Sequence, residues 1–209
     1  MEIKMKKRGQ VTRKRKSIIL ISTEGKNKTE ETYFNNFKKN KKYSIVYTKG
    51  NYTDPVNMVN SLQKEIKERD LQKRYGDSAY CVFDTDVDSS KQSKVDTALS
   101  KVQNKNSIIE LIPSNPCFEI WYKPHFTNSS KSYSNNTELL KDLNKFIPNY
   151  QKNMDVYPIL FNKINTAINN AISLEQYHLK SNIGIYDIKA NPSTQVYKIV
   201  KKLIDELKI

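Results

Sequence analysis

Residues 79–88 read Ala79-Tyr80-Cys81-Val82-Phe83-Asp84-Thr85-Asp86-Val87-Asp88 (AYCVFDTDVD), an apolar run that passes directly into three alternating aspartates. Five apolar residues rich in β-formers are too few for a helix and fit a strand buried on both faces. Three similar runs flank it. Residues 17–23 (SIILIST) end at Glu24-Gly25, residues 43–48 (YSIVYT) follow, and residues 108–112 (IIELI) lead into Pro113-Ser114-Asn115-Pro116. Helical patterns separate these runs. Thr29 is the expected N-cap of the first helix, with Glu30 and Glu31 complementing its dipole and Tyr33, Phe34 and Phe37 forming its apolar stripe. Asp54-Pro55 opens the second, which carries Val56, Val59, Leu62 and Ile66; Val95, Ala98, Leu99 and Val102 mark the third. Strands alternating with helices predict an α/β fold with a parallel four-stranded sheet flanked by helices.

Downstream the pattern changes. Residues 127–137 (TNSSKSYSNNT) are a polar loop, and beyond it only helices are expected. One carries Leu139, Leu140, Leu143 and Phe146, and a longer one runs from about Pro158 to Leu179. The last follows Asn191-Pro192-Ser193-Thr194 and carries Val196, Ile199, Val200, Leu203, Ile204 and Leu207. The expected organisation is a basic arm over 1–16, an α/β core over 17–126, the loop over 127–137 and a helical extension over 138–209 packed on the core.

Charge sets the partner class. The chain has 36 Lys+Arg against 22 Asp+Glu, net +14. The first 16 residues hold eight basic residues, Arg13, Lys14 and Arg15 among them, against Glu2 alone, so half the excess lies in the arm. Such an arm suits nucleic acid, because neutralising phosphates releases condensed counterions. The bland alternative is a solvated tail that serves solubility. No apolar run is long enough for a membrane span or a secretory signal. Cys81 and Cys117 lie in apolar runs without a metal-binding pattern, as expected of reduced thiols in a cytoplasmic protein.

Groups that act in an open parallel sheet gather beyond the carboxyl ends of its strands. Strand order 2-1-3-4 makes the first and third strands neighbours, and then Glu24 meets Asp84, Asp86 and Asp88 on one rim. Carboxylates so crowded call for a hard cation, Mg²⁺ or Mn²⁺, which suits phosphodiester chemistry. The alternative is a merely solvated acidic turn. Ser114 and Asn115 end the fourth strand on the same rim, and a helix from Pro116 places Glu119 one turn on. Asn115 is a candidate phosphate or ligand contact and Glu119 a second metal ligand. Alternatively Asn115 caps that helix, while Glu119 faces solvent or Lys123. His125 is either a general acid or a hydrogen-bonded packing residue. Lys26 and Lys28 either contact the scissile phosphate or are exposed loop lysines. Phe118, Trp121 and Phe126 are expected to pack the helical part on the sheet, with base stacking the alternative for Trp121.

Glu24-Gly25 with Asp84-x-Asp86 resembles the Toprim fold of topoisomerases, DnaG-type primases and overcoming-lysogenization-defect nucleases. The chain more closely resembles the RloB family of phage-defence proteins, related to the AbiLii abortive-infection components. That resemblance rests on Arg13-Lys14-Arg15, on Glu24-Gly25 through Thr29-Glu30 to Tyr33-Phe34, and on Cys81–Asp86. Ser114-Asn115-Pro116-Cys117-Phe118-Glu119-Ile120-Trp121, His125-Phe126 and Asn191-Pro192-Ser193-Thr194 complete it. It implies a Toprim metal site, with Glu24, Asp84 and Asp86 catalytic, and an anti-phage nuclease acting on RNA, tRNA or DNA. An ATPase subunit is the implied partner, since no GxxxxGK[ST] occurs among only 5 glycines. A homo-oligomer stays open. Two other functions fit the residues: a non-catalytic nucleic-acid-binding or sensor module, and a haloacid-dehalogenase-like phosphatase using Asp84 as nucleophile. The latter normally places its nucleophile on the first strand and needs a later acidic pair that is missing here.

Overall fold

The computed structural model describes residues 15–25, 28–39 and 42–205. Its centre is a five-stranded sheet in the order β2-β1-β3-β4-β5. The strands are β1 (Ser17–Thr23), β2 (Tyr43–Tyr47), β3 (Ser78–Asp84), β4 (Ile109–Asn115) and β5 (Ser193–Thr194). The first four are mutually parallel: Leu20 lies level with Val46 on one side and Ala79 on the other, and Asp84 lies level with Ser114.

The fifth strand departs from expectation. Residues 191–194 are expected to lead into a helix, yet Ser193–Thr194 pair antiparallel with Ser114 and Asn115. Gln195 N–H donates to the Pro113 carbonyl, and Ser114 Oγ and Thr194 Oγ1 share a hydrogen bond. An uncovered end of β4 would leave bare backbone groups, and this short strand pairs with its last two residues.

Side-chain alternation builds a layer on each face. Leu20, Cys81, Phe83 and Leu111 face α2 (Pro55–Glu68) and α3 (Gln92–Val102), through Met58, Val59, Leu62, Val95 and Ala98. Asp54 caps α2 as expected, accepting from Val56 N and Asn57 N. Ile19, Ile21, Tyr80, Val82 and Ile112 face the other way, against α1 (Thr29–Asn35) and the C-terminal helices. Those helices are α4 (Asn136–Leu143), α5 (Tyr157–Leu160), α6 (Ile164–Lys180) and α7 (Val196–Asp205). The expected single helix over 158–179 is thus broken by a 3₁₀ turn at Phe161–Lys163. Thr29 does not cap α1; Lys28 holds the cap position without a side-chain bond, and Thr29 is buried in the first turn.

Residues 118–125 form a buried 3₁₀ segment that joins the two halves. Phe118 and Trp121 fit edge-on against Tyr33, and Tyr122 packs on it at a tilt. Lys123 is buried too, bonded to Asp142 and to Tyr133 in the polar loop. The loop is pinned again by Asn191, whose side chain accepts from Tyr133 N–H and donates to its carbonyl. Among the described residues, no helix is long and apolar enough to cross a membrane.

At the amino ends of the strands, buried Asp77 ties β1 to the segment before β3. It accepts from the N–H groups of Ile18 and Gln72, and Arg15 Nη1 bonds both its oxygens. Burial opposes its charge, but these donors outweigh it and hold the carboxyl below the usual range. Its stabilisation is therefore present above the unfolded aspartate pKa and fades as pH falls through the folded one. Asp77→Ala should cost about 2–3 kcal/mol in urea unfolding at pH 7. The gap to wild type should shrink by pH 3; an unchanged gap would contradict this role.

Candidate functional site

The hydrogen-bonded pairing of β1 with β3 puts the ends of these strands side by side. Glu24 continues β1 through a bridge to Tyr52, and Gly25, at φ 72°, donates its N–H to the Tyr52 carbonyl. The Glu24 side chain reaches the end of the neighbouring strand, where Oε2 accepts the Asp84 N–H at 2.9 Å. Beyond Asp84, Thr85 N–H donates to Ser114 O and Asp86 N–H to Pro116 O. Asp86 and Val87 both take left-handed backbone, φ 52° and 57°. A β-branched residue there is strained, and strain of this kind concentrates at functional turns. The turn folds Asp86 back across the strand ends. Its Oδ1 accepts from Asn136 Nδ2 and its Oδ2 meets Lys91 Nζ at 2.5 Å.

The result is a cleft of about 210 Å³ walled by five carboxyl groups: Glu24, Glu30, Asp84, Asp86 and Glu119. Thr53, Asn136 and Lys152 stand around it as neutral and basic groups. Glu119 is 2% exposed and Glu30 5% exposed, though both are acids. Tyr150 OH donates to Glu119 Oε1 at 3.3 Å, while Glu30 Oε2 and Asp84 Oδ1 are buried with no hydrogen-bond partner.

Electrostatics follow from that crowding. Burial raises the Asp84 pKa well above its ordinary value, and Glu30, Glu119, Glu24 and Asp86 add to the rise. Burial pushes Glu30 up to about 8, again with help from Glu119 and Glu24. Glu24 is raised by burial, against the Asp84 N–H and Lys91, which favour its charge. Burial opposes the Lys91 charge, but the bond to Asp86 and the charges of Glu24 and Asp86 win, and its pKa rises.

The structure brings together Glu24, Asp84, Asp86 and Glu119 from the sequence-derived set; others lie elsewhere. Asp88 is exposed and accepts from Ser90 N–H, capping a 3₁₀ turn. Asn115 is buried below the rim, and its Nδ2 donates to Ile188 O; it caps no helix. Glu119 faces neither solvent nor Lys123. His125 is buried against Trp121, its Nδ1 near two backbone carbonyls, and burial lowers its pKa to about 4. That is the environment of a packing histidine. Lys28 is exposed at the start of α1, outside the cleft lining. Arg15 lies at the amino ends of the strands, across the sheet, bonded to Asp77 and stacked on Tyr75. Arg13, Lys14 and Lys26 fall outside the described residues.

Sequence reasoning missed Glu30, Asn136, Lys152 and Lys91. Glu30 carried a usable signal: positions 30, 33, 34 and 37 share one helical face, so the acid belongs to the buried stripe.

The donor set suits a hard cation. It is all oxygen, mostly carboxylate, with two buried oxygens left unpartnered. Yet among the described residues no three acids stand ready as a metal-binding group, and a lysine ammonium sits between Glu24 and Asp86. Without a bound cation the buried acids destabilise the fold when charged. Glu30, raised above its unfolded value, favours folding while protonated and loses that contribution as pH climbs through about 8. Glu30→Gln should therefore stabilise the metal-free protein by at least about 1 kcal/mol at pH 9, and by less at pH 6. Urea titrations in a chelator test this, and equal stability of the two proteins at pH 9 would contradict it.

Neither the curated proteins nor the solved structures searched contain a match to the chain. The family described as RloB-like protein matches residues 19–203. That span runs from within β1 to within α7 and carries all five acids of the cleft, so the chain belongs to the RloB-like family.

Proposed function

We propose that the protein is a metal-dependent nuclease that cleaves phosphodiesters at the acidic cleft. The observation that carries this is the 2.9 Å bond from Asp84 N–H to Glu24 Oε2, which gathers acids from two strand ends around unpartnered Asp84 Oδ1. Strands β2-β1-β3-β4 form the Toprim-like part of the sheet in this reading, and β5 is an addition to it. Asp84 and Asp86 would hold Mg²⁺ or Mn²⁺, with Glu24, Glu30 and Glu119 lining the same cleft. Such an ion supplies charge neutralisation at the scissile phosphate and a lowered pKa for the attacking water. Phosphoryl transfer asks the protein mainly for positioning and charge stabilisation, so no nucleophilic side chain is needed. Asn136 Nδ2 and Lys152 offer donors to the substrate's phosphates at the mouth of the cleft. Net charge of +14 supports nucleic acid as the substrate, and RNA or tRNA stands ahead of DNA by family analogy alone. The biological setting we infer is anti-phage abortive infection beside an ATPase subunit, by analogy with related defence systems.

A non-catalytic binding module is the second reading, favoured by the basic excess alone. The two separate in one assay. Divalent-dependent cleavage of RNA and DNA, with the partner subunit where needed, should fall at least about a hundredfold in Glu24→Gln and Asp84→Asn. Salt-sensitive binding should survive in both variants. Cleavage undiminished in both would remove the nuclease assignment, and an aspartyl-phosphate trapped on Asp84 would replace it with a phosphatase.

A further inference from the structure

Among the described residues Lys91 forms ion pairs with two acids of the cleft, Glu24 and Asp86, and all three of its donors are matched. Its ammonium lies 2.5 Å from Asp86 Oδ2, 3.1 Å from the Asp84 carbonyl and 3.4 Å from Glu24 Oε1. An ammonium has three donors and no acceptor, so this cradle satisfies it completely. The side chain is 18% exposed, too enclosed for a surface ion pair.

The backbone that presents Lys91 is fixed. Asp88 caps the preceding 3₁₀ turn through Ser90 N–H, and Lys91 N–H donates to the Asp88 carbonyl. Immediately after it, the Gln92 side chain is held by Tyr186 O and Ile188 N–H. The four-carbon stem is flexible, so movement is confined to the side chain.

This placement accounts for two otherwise separate observations. Glu24 and Asp86, from different strand ends, turn one oxygen each toward the same Nζ, and among the described residues no three acids stand ready as a metal-binding group. Asp84 Oδ1 and Glu30 Oε2, which Lys91 does not reach, are the oxygens left without partners. Lys91 and the cleft-lining Lys152 thus supply two charges where five carboxyl groups call for more.

We propose that Lys91 is a built-in stand-in cation, which bridges Glu24 and Asp86 in the metal-free protein and must swing out before a divalent ion binds. The proposal rests on the metal-site reading above. A divalent ion would win the exchange through its doubled charge, with Asp84 Oδ1 and Glu30 Oε2 available to help hold it. Lys91 in turn sets a threshold on metal affinity, which keeps Glu24 and Asp86 engaged with the ammonium at low divalent concentration. Asp88 acts here as a positioning residue, since it fixes the turn from which Lys91 projects.

Calorimetric titration of Mn²⁺ into the full-length protein tests this without reference to activity. Lys91→Met and Lys91→Gln should each bind Mn²⁺ at least about tenfold more tightly than wild type, since a competing cation is gone. Lys91→Arg, which keeps the charge, should stay within about threefold of wild type. Circular dichroism in chelator verifies that each variant is folded, and Lys91→Gln, which retains donors, serves where Lys91→Met is not. Wild-type affinity in both neutral variants would overturn the role of Lys91 while leaving the metal site standing. Failure of wild type and all variants to bind Mn²⁺ would overturn the metal site and this proposal together.

Discussion

The adjacency of β1 and β3 is the constraint from which the cleft follows. Had the sheet followed chain order, β2 would separate them by about 5 Å per strand, and Glu24 would not reach Asp84. Because β1 pairs with both β2 and β3, the Glu24 carboxylate can accept the N–H of the last residue of β3. That bond orients Glu24 and leaves the Asp84 carboxyl free to project into the cleft. Five acids in one place carry a large desolvation and repulsion cost, several kcal/mol for each charged group left uncompensated. A fold keeps such a cluster when something else is meant to neutralise it, and strongly displaced pKa values are a mark of functional sites.

The rest of the molecule serves that rim. The C-terminal helices share one apolar core with β1, β3 and β4, so they are part of the same packed body. They also bring residues to the cleft: Asn136 opens α4, and Lys152 comes from the segment after it. The buried Lys123–Asp142–Tyr133 group and the Asn191 bonds to Tyr133 hold the polar loop between these elements. Breaking one partner of a buried pair of this kind typically costs about 3–5 kcal/mol, so the loop is a fastening and not a linker.

Much of this was legible in the residues. The apolar runs gave four strands, and alternation with helices gave parallel pairing; the order 2-1-3-4 then followed from one assumption about neighbours. Glu24, Asp84 and Asp86 could be read because each lies within three residues of the last apolar residue of a strand. What escaped detection was set by contacts distant in sequence. Ser193–Thr194 is too short to show a period, and its pairing is decided by the bare edge of β4. Lys91 is one lysine among many, and only the left-handed turn at Asp86 and Val87 brings it home. Glu119 lies in a run whose 3₁₀ twist buries every residue, so helical spacing misled about its exposure. Glu30 was masked by a second rule that fits equally well, since an acid in a first turn also complements the helix dipole.

The central claim is that acids from the ends of β1 and β3 jointly hold a divalent cation. An anomalous-scattering map from crystals grown with Mn²⁺ tests it most directly. The predicted result is a peak inside the cleft, about 2.1 Å from a carboxylate oxygen of Asp84, with Lys91 Nζ displaced. A map at saturating Mn²⁺ with no peak there, or with its peak at Asp88 on the surface, would contradict it.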